Sequence, residues 1–256
     1  MVVTLADLVA ALPVALPAGR LVVPQAGGRP VYWLSEGTVG ADLVAALRVR
    51  AAATGLQPLL LNGLSGPADG RPWAVGEVYP ARMSPPGEHD AGVLLAHWWR
   101  QAAPEDDDTI LAPFGAEWPG LAPPGSGGGD PERAAGDLAA VLLAEPLRLG
   151  LVAAGSGADA LAAAGWSGPT NHASDTGRLA AVLRSWQGRF GVRVVGAGFD
   201  TLQLSVGAPP VTPEHALRVA VEHFAFCPDL VHQGTGSLTE YAEELTGATT
   251  WWFWWD

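Results

Sequence analysis

The sequence predicts an α+β (or α/β) protein: an N-terminal α/β lobe and a compact C-terminal α/β domain closed by an interior, Trp-rich terminal strand. Three observations predict it. Short β-rich runs alternate with segments of helical period, a Pro/Gly-rich stretch divides the chain, and the chain ends on TTWWFWWD. The divisions that follow are a lobe over 1–118, a linker over 119–131 and a domain over 132–256. At 256 residues and 48% hydrophobic, the chain has ample material for a core.

In the lobe, Val31 to Leu34 reads as a strand, Ala41 to Ala53 as a helix and Pro58 to Leu61 as a second strand, a βαβ-like unit. Ala91 to Arg100 has helical spacing, with Leu94 and Trp98 on one face and Leu95 and Trp99 beside them. The acidic run Glu105-Asp106-Asp107-Asp108 closes that helix. The stretch PGLAPPGSGGGDP, from Pro119 to Pro131, reads as a flexible linker, because glycine raises the entropic cost of ordering and proline blocks regular hydrogen bonding. A helix from Glu132 to Ala144 and a strand from Leu147 to Val152 come next.

The last hundred residues are the most legible. Asp175 caps a helix whose apolar face is Leu179, Val182, Leu183, Trp186 and Phe190, which leaves Arg178 and Arg189 for the outer face. Strands over Val192 to Val195 and Thr201 to Val206 are close enough for a hairpin. Thr212 as N-cap and Pro213 at the first position start a largely buried helix that Pro228 ends beyond Cys227, with Glu214, Arg218 and Glu222 as its exposed stripe. Ser237 and Glu240 match a capping box, Leu238, Tyr241, Ala242 and Leu245 form one face, and Gly247 supplies the C-cap.

Four of the last six side chains are indoles. As a strand, TTWWFWWD sets Trp251, Phe253 and Trp255 on one face and Trp252, Trp254 and Asp256 on the other. Both faces are apolar, so the strand is expected in the interior of a sheet, covered on each side.

Composition excludes several classes of function. The formal net charge of −12 gives no attraction to phosphate backbones or anionic lipid, so neither nucleic acid nor membrane is an expected partner. All 14 basic residues are arginine, which removes Walker-type phosphate lysines, Schiff bases and serine–lysine pairs. A single cysteine leaves no internal disulfide and suits a cytoplasmic location. The opening MVVTLADLVAALPVALPAG lacks the basic start of a signal peptide, Asp7 interrupts its apolar run, and no stretch of about 18 apolar residues exists to span a membrane.

The densest polar cluster is Glu222-His223-x3-Cys227-x-Asp229-x2-His232-Gln233. Three readings compete for it: a metal site, a Cys227 nucleophile with His223 as base and Asp229 or Asp200 orienting it, and a structural helix end. No paired CxxC or HExxH accompanies the cluster, and a buried helix would raise the thiol pKa, so the structural reading is preferred and no metal is expected. Gly155-x-Gly157-x-x-Ala160 imitates a dinucleotide fingerprint, but the following strand with its acidic end is missing, and no cofactor is expected. The loop Trp166 to His172 carries an indole, an amide and an imidazole between two helices. It contributes Trp166, Asn171 and His172 to a candidate recognition groove with Asp200, Glu222, His223, Asp229, Gln233 and Asp256.

From Gly165 to Asp256 the chain resembles a bacterial family, common in actinobacteria, known as domain of unknown function 4253. The resemblance rests on GW followed by Asn171, LRSWQGRFGVRVVGAGFDTLQLSV, APP, AVEHFAFCPDLVHQG, SLTEYAEELTG and the closing W-x-F-W-W-D; upstream, PFGAEWPGLAPP resembles a leader segment of longer members. It implies a fold unit and a taxonomic setting and carries no activity. The expectation from the residues is a cytoplasmic, non-enzymatic module that binds a protein partner or small ligand. An immunity-like protein holding a basic partner is one version, and an enzyme using Cys227, His223 and Asp229 is the alternative.

Overall fold

The computed structural model describes residues 3–66, 69–103 and 109–256. The run from Glu105 to Asp108, expected to close its helix, lies outside them.

Seven strands form one mixed sheet: β1 (Gly19–Val22), β2 (Tyr32–Thr38), β3 (Leu56–Leu61), β4 (Arg148–Ala153), β5 (Arg193–Ala197), β6 (Thr201–Ser205) and β7 (Thr250–Trp254), in the spatial order β1-β2-β4-β3-β5-β6-β7. Among the described residues, β3 and β5 are the one pair that runs in parallel. The α+β class is as the sequence predicts. The predicted strand-helix-strand unit is β2, α2 (Ala41–Thr54) and β3, but β4 lies between the two strands and is antiparallel to both. Strands from before and after 119–131 therefore share one sheet.

Alternation along each strand feeds two apolar layers. One face carries Tyr32, Leu34, Leu59, Leu61, Leu202, Leu204, Trp251 and Phe253. It is covered by α3 (Ala91–Ala102), α5 (Gly157–Ala164), α6 (Thr176–Phe190), α7 (Pro213–Phe226) and α8 (Leu238–Leu245). The opposite face meets α2 and α4 (Pro131–Leu142) through Val44, Leu60, Leu138 and Val195. The short helix α1 (Leu5–Ala10) lies over β2 and β4 on that same side. Helix starts follow sequence logic: Asp90, Asp130, Ser156, Asp175, Thr212 and Ser237 each accept a backbone N–H of the first turn. A π-helical turn at Leu230–Thr235, which no periodicity announced, joins α7 to α8.

Three expectations are corrected. Among the described residues β7 is an edge strand, bonded to β6 alone, and is not an interior strand. Trp251, Phe253 and Trp255 are buried, whereas Trp252 is 50% exposed. A run apolar on both faces constrains burial and leaves strand order open; Trp186 of α6 and Phe226 of α7 pack on one face of β7, whereas Trp252 on the other is open. Glu222, expected on an exposed stripe, is fully buried. Arg189, expected on the outer face of α6, turns inward to meet it: Nη1 and Nη2 bond the Glu222 carboxylate at 2.7 and 2.6 Å.

That pair also anchors the 119–131 segment. The Glu222 carboxylate accepts from Ala122 N at 2.6 Å, Arg189 donates to Ala122 O, and Gly125 N donates to the carbonyl of Arg189. A Cβ on Gly125 or Gly129 would collide with the carbonyls of Ala208 and Gly207. In this segment glycine permits close backbone approach.

Candidate functional site

The aromatic face of β7 packs into the core and positions the strand end at the site. Trp186 of α6 lies 5.6 Å from Trp251 and stacks on Phe253 at 5.5 Å. Trp255 meets Phe226 at 5.6 Å and Trp166 edge-on at 5.9 Å. Trp166 is buried, with its indole N–H given to Gly198 O at 2.9 Å. It supports the groove from beneath and is not a contact residue in it.

At the end of β7 a hydrogen-bonded chain crosses the surface. Asn171 Nδ2 donates to Asp256 O at 3.0 Å, Asp256 N donates to Asp229 Oδ2 at 3.1 Å, and Gln233 Nε2 donates to Asp229 Oδ1 at 3.3 Å. Trp255 N is held by Asp200 O at 3.1 Å. Five of the proposed groove residues, Asn171, Asp200, Asp229, Gln233 and Asp256, are thus gathered around one strand end.

Beside this chain opens a cleft of about 470 Å³. Asn171, Asp200, Trp255 and Asp256 form one side, and Glu77, Tyr79 and Arg82 from the N-terminal part form the other. The walls are positioned by backbone bonds, with Tyr79 N donating to Gly165 O at 2.7 Å. Gly165 sits at φ 78°, and a Cβ there would strike Pro80. Arg82 lies over the Tyr79 ring at 4.3 Å, and Glu77 is paired with Arg71 at 2.7 Å. Among the described residues the carboxylates of Asp200 and Asp256 have no ion-pair partner. Sequence reasoning missed Glu77, Tyr79 and Arg82 as wall residues, because they lie in a stretch without periodic pattern.

The remaining predicted residues lie elsewhere. His172 borders a neighbouring hollow with Trp98, 5.5 Å from that ring. Burial pushes its pKa below the ordinary imidazole value, while the Asp229 charge pulls the other way. Glu222 and His223 are in the core. His223 lies 4.4 Å from Trp251 and 4.9 Å from both Trp186 and Phe253, and its Nδ1 is 2.9 Å from the Tyr241 hydroxyl. Burial and then the Arg189 charge hold its pKa well below the usual value, and burial raises that of Tyr241, so a phenol O–H donates to a neutral imidazole.

Cys227, His223 and Asp229 face three different partners. The Cys227 thiol donates to Trp254 O at 2.9 Å, and burial pushes its pKa up to about 12. Asp229 is occupied by Asp256 N and Gln233. A nucleophile of that kind needs a base within hydrogen-bond reach and a lowered pKa, and this thiol has neither. Among the described residues no group of three or more His, Cys, Asp or Glu side chains is placed to hold a metal ion, and no helix is long and apolar enough to cross a membrane.

No curated protein and no solved structure matches the chain. Residues 148–256, which contain β4 through β7 and the whole hydrogen-bonded chain from Asn171 to Gln233, match the family described as Domain of unknown function (DUF4253).

Proposed function

We propose that this protein is a non-enzymatic binding module whose cleft receives a cationic group, such as a guanidinium, presented by a basic partner. One observation carries the reading: Asp200 and Asp256, without ion-pair partners among the described residues, border a cleft that also takes in the Tyr79 ring. Carboxylates beside aromatic rings favour a planar cation through charge-assisted hydrogen bonds and ring contact together. The net charge of −12 speeds the approach of such a partner. A cytoplasmic, immunity-like role, in which the module occupies a basic partner, is the finer form of the proposal.

N-acetyl-arginine N-methylamide is the probe, titrated into the full chain at low salt while backbone amide shifts are followed. Shifts are expected at Asn171, Asp200 and Trp255, and Asp200→Asn is expected to weaken the response about tenfold, about 1.4 kcal/mol. Shifts scattered over the acidic surface, or unchanged by Asp200→Asn, overturn the proposal.

A further inference from the structure

We infer that the free edge of β7 is a docking strand for an extended basic segment of a partner protein, which adds to the sheet as an eighth strand. The backbone register supplies the first argument. Val206 N donates to Thr249 O and Trp255 N donates to Asp200 O, so odd-numbered residues of this strand face β6. Antiparallel geometry then turns the N–H and C=O of Thr250 and Trp252 outward. Trp254 O also points outward, and there it accepts the Cys227 thiol. No bond outside the sheet is made by the backbone of Thr250 or Trp252 among the described residues.

Sheet edges are ordinarily blunted by bulges, proline, charge or a covering element. β1, at the other edge, has four residues between Pro17 and Pro24, and its Arg20 side chain bonds Ala74 O. β7 is covered at its C-terminal end, where the Cys227 thiol holds Trp254 O, but over Thr250–Trp252 its register against β6 is unshifted, it carries no proline or charge, and its exposed side chain is Trp252. Alongside lies a groove of about 390 Å³ between the strand, α8 and the π-helical turn, lined among others by Leu230, Thr235, Tyr241, Glu244, Thr250 and Trp252. An added strand would bond Thr250 and Trp252 through its backbone and set alternate side chains against the indoles.

Charge selects the occupant. Residues 233–256 contain Glu240, Glu243, Glu244 and Asp256 and no Arg, Lys or His. The three glutamates are exposed on α8, and Glu244 lines the groove. Two copies of such a surface repel each other, whereas a basic segment is attracted. This surface is separate from the Asp200 cleft, and the two readings can fail independently.

The test uses the full chain and a hexapeptide of alternating arginine and valine, capped at both ends, with binding read by tryptophan fluorescence at low salt. Two analogues carry N-methyl groups on the arginine amides or on the valine amides. One analogue is expected to bind at least about tenfold more weakly and the other to bind within about twofold, because only one edge of the peptide bonds β7. Trp252→Lys, on an exposed side chain, is expected to cost about tenfold and the Glu243→Gln/Glu244→Gln pair about fivefold, each introduced into an Asp200→Asn background that silences the arginine-binding cleft. Equal binding by all three peptides would show attraction by charge alone and overturn the docking strand. So would unchanged affinity in Trp252→Lys, or a β7-mediated dimer of the chain in sedimentation.

Discussion

At the residue scale, the side chains that carry most chemical potential are spent on structure. Glu222 accepts four hydrogen bonds, from Ala122 N, Trp186 Nε1 and the two Arg189 nitrogens, so the buried carboxylate has its charge paired. Glu222→Ala strands the Arg189 guanidinium, only 14% exposed, and is expected to lower unfolding stability by about 3 to 5 kcal/mol in urea titration. A loss below about 1 kcal/mol would show that the pair does not hold α6, α7 and the 119–131 segment together. His223 and His172 set the acid limit. Both have folded pKa values below the ordinary imidazole value, so the unfolded chain binds more protons and stability falls as pH drops below about 6.5. The slope steepens below pH 6.5 toward a ceiling of about 1.4 kcal/mol per pH unit for each histidine, read from urea midpoints between pH 7 and pH 5. Ordinary carboxylates, titrating near pH 4, add little in that window. A flat profile would place both imidazoles in water.

At the element scale, β7 has two unequal faces. Phe253→Ala removes a ring packed on Trp186, His223 and Phe226 and is expected to cost about 3 to 5 kcal/mol. Trp252→Ser, on the open face, is expected to cost less than about 1 kcal/mol in the same urea series. Similar costs for the two would contradict the one-sided burial. The period of TTWWFWWD separated these faces before any coordinates, and the buried faces of α3, α6 and α8 were equally legible, because side-chain direction is a local consequence of backbone geometry. Strand order depends on long-range pairing, so the same residues could not reveal that β7 lies at an edge or that β4 enters between β2 and β3. Glu222 was misassigned for a related reason. Its i−4 spacing from Arg218 on α7 was visible in sequence, whereas its pairing with Arg189 on α6 is tertiary. The candidate site was half legible: the polar loop and strand end were named, and the wall from Glu77 to Arg82, which comes from an aperiodic segment, was not.

At the scale of the whole molecule, residues 148–256 do not make a continuous sheet by themselves. β4 belongs to that stretch, yet β3, from residues 56–61, lies between β4 and β5. The N-terminal part thus completes the sheet and supplies Glu77, Tyr79 and Arg82 to the cleft. Both proposed surfaces depend on the placement of β7: its last residues border the cleft, and its outer edge is the docking strand. Amide hydrogen exchange along this strand tests that placement most directly. The N–H groups of Trp251, Phe253 and Trp255 face β6 and are expected to be protected, while those of Thr250 and Trp252 exchange at least about a hundredfold faster, in a period of two. Uniform protection from Thr250 to Trp255 would place β7 between two strands, and uniform fast exchange would detach it from the sheet; either result would contradict the account.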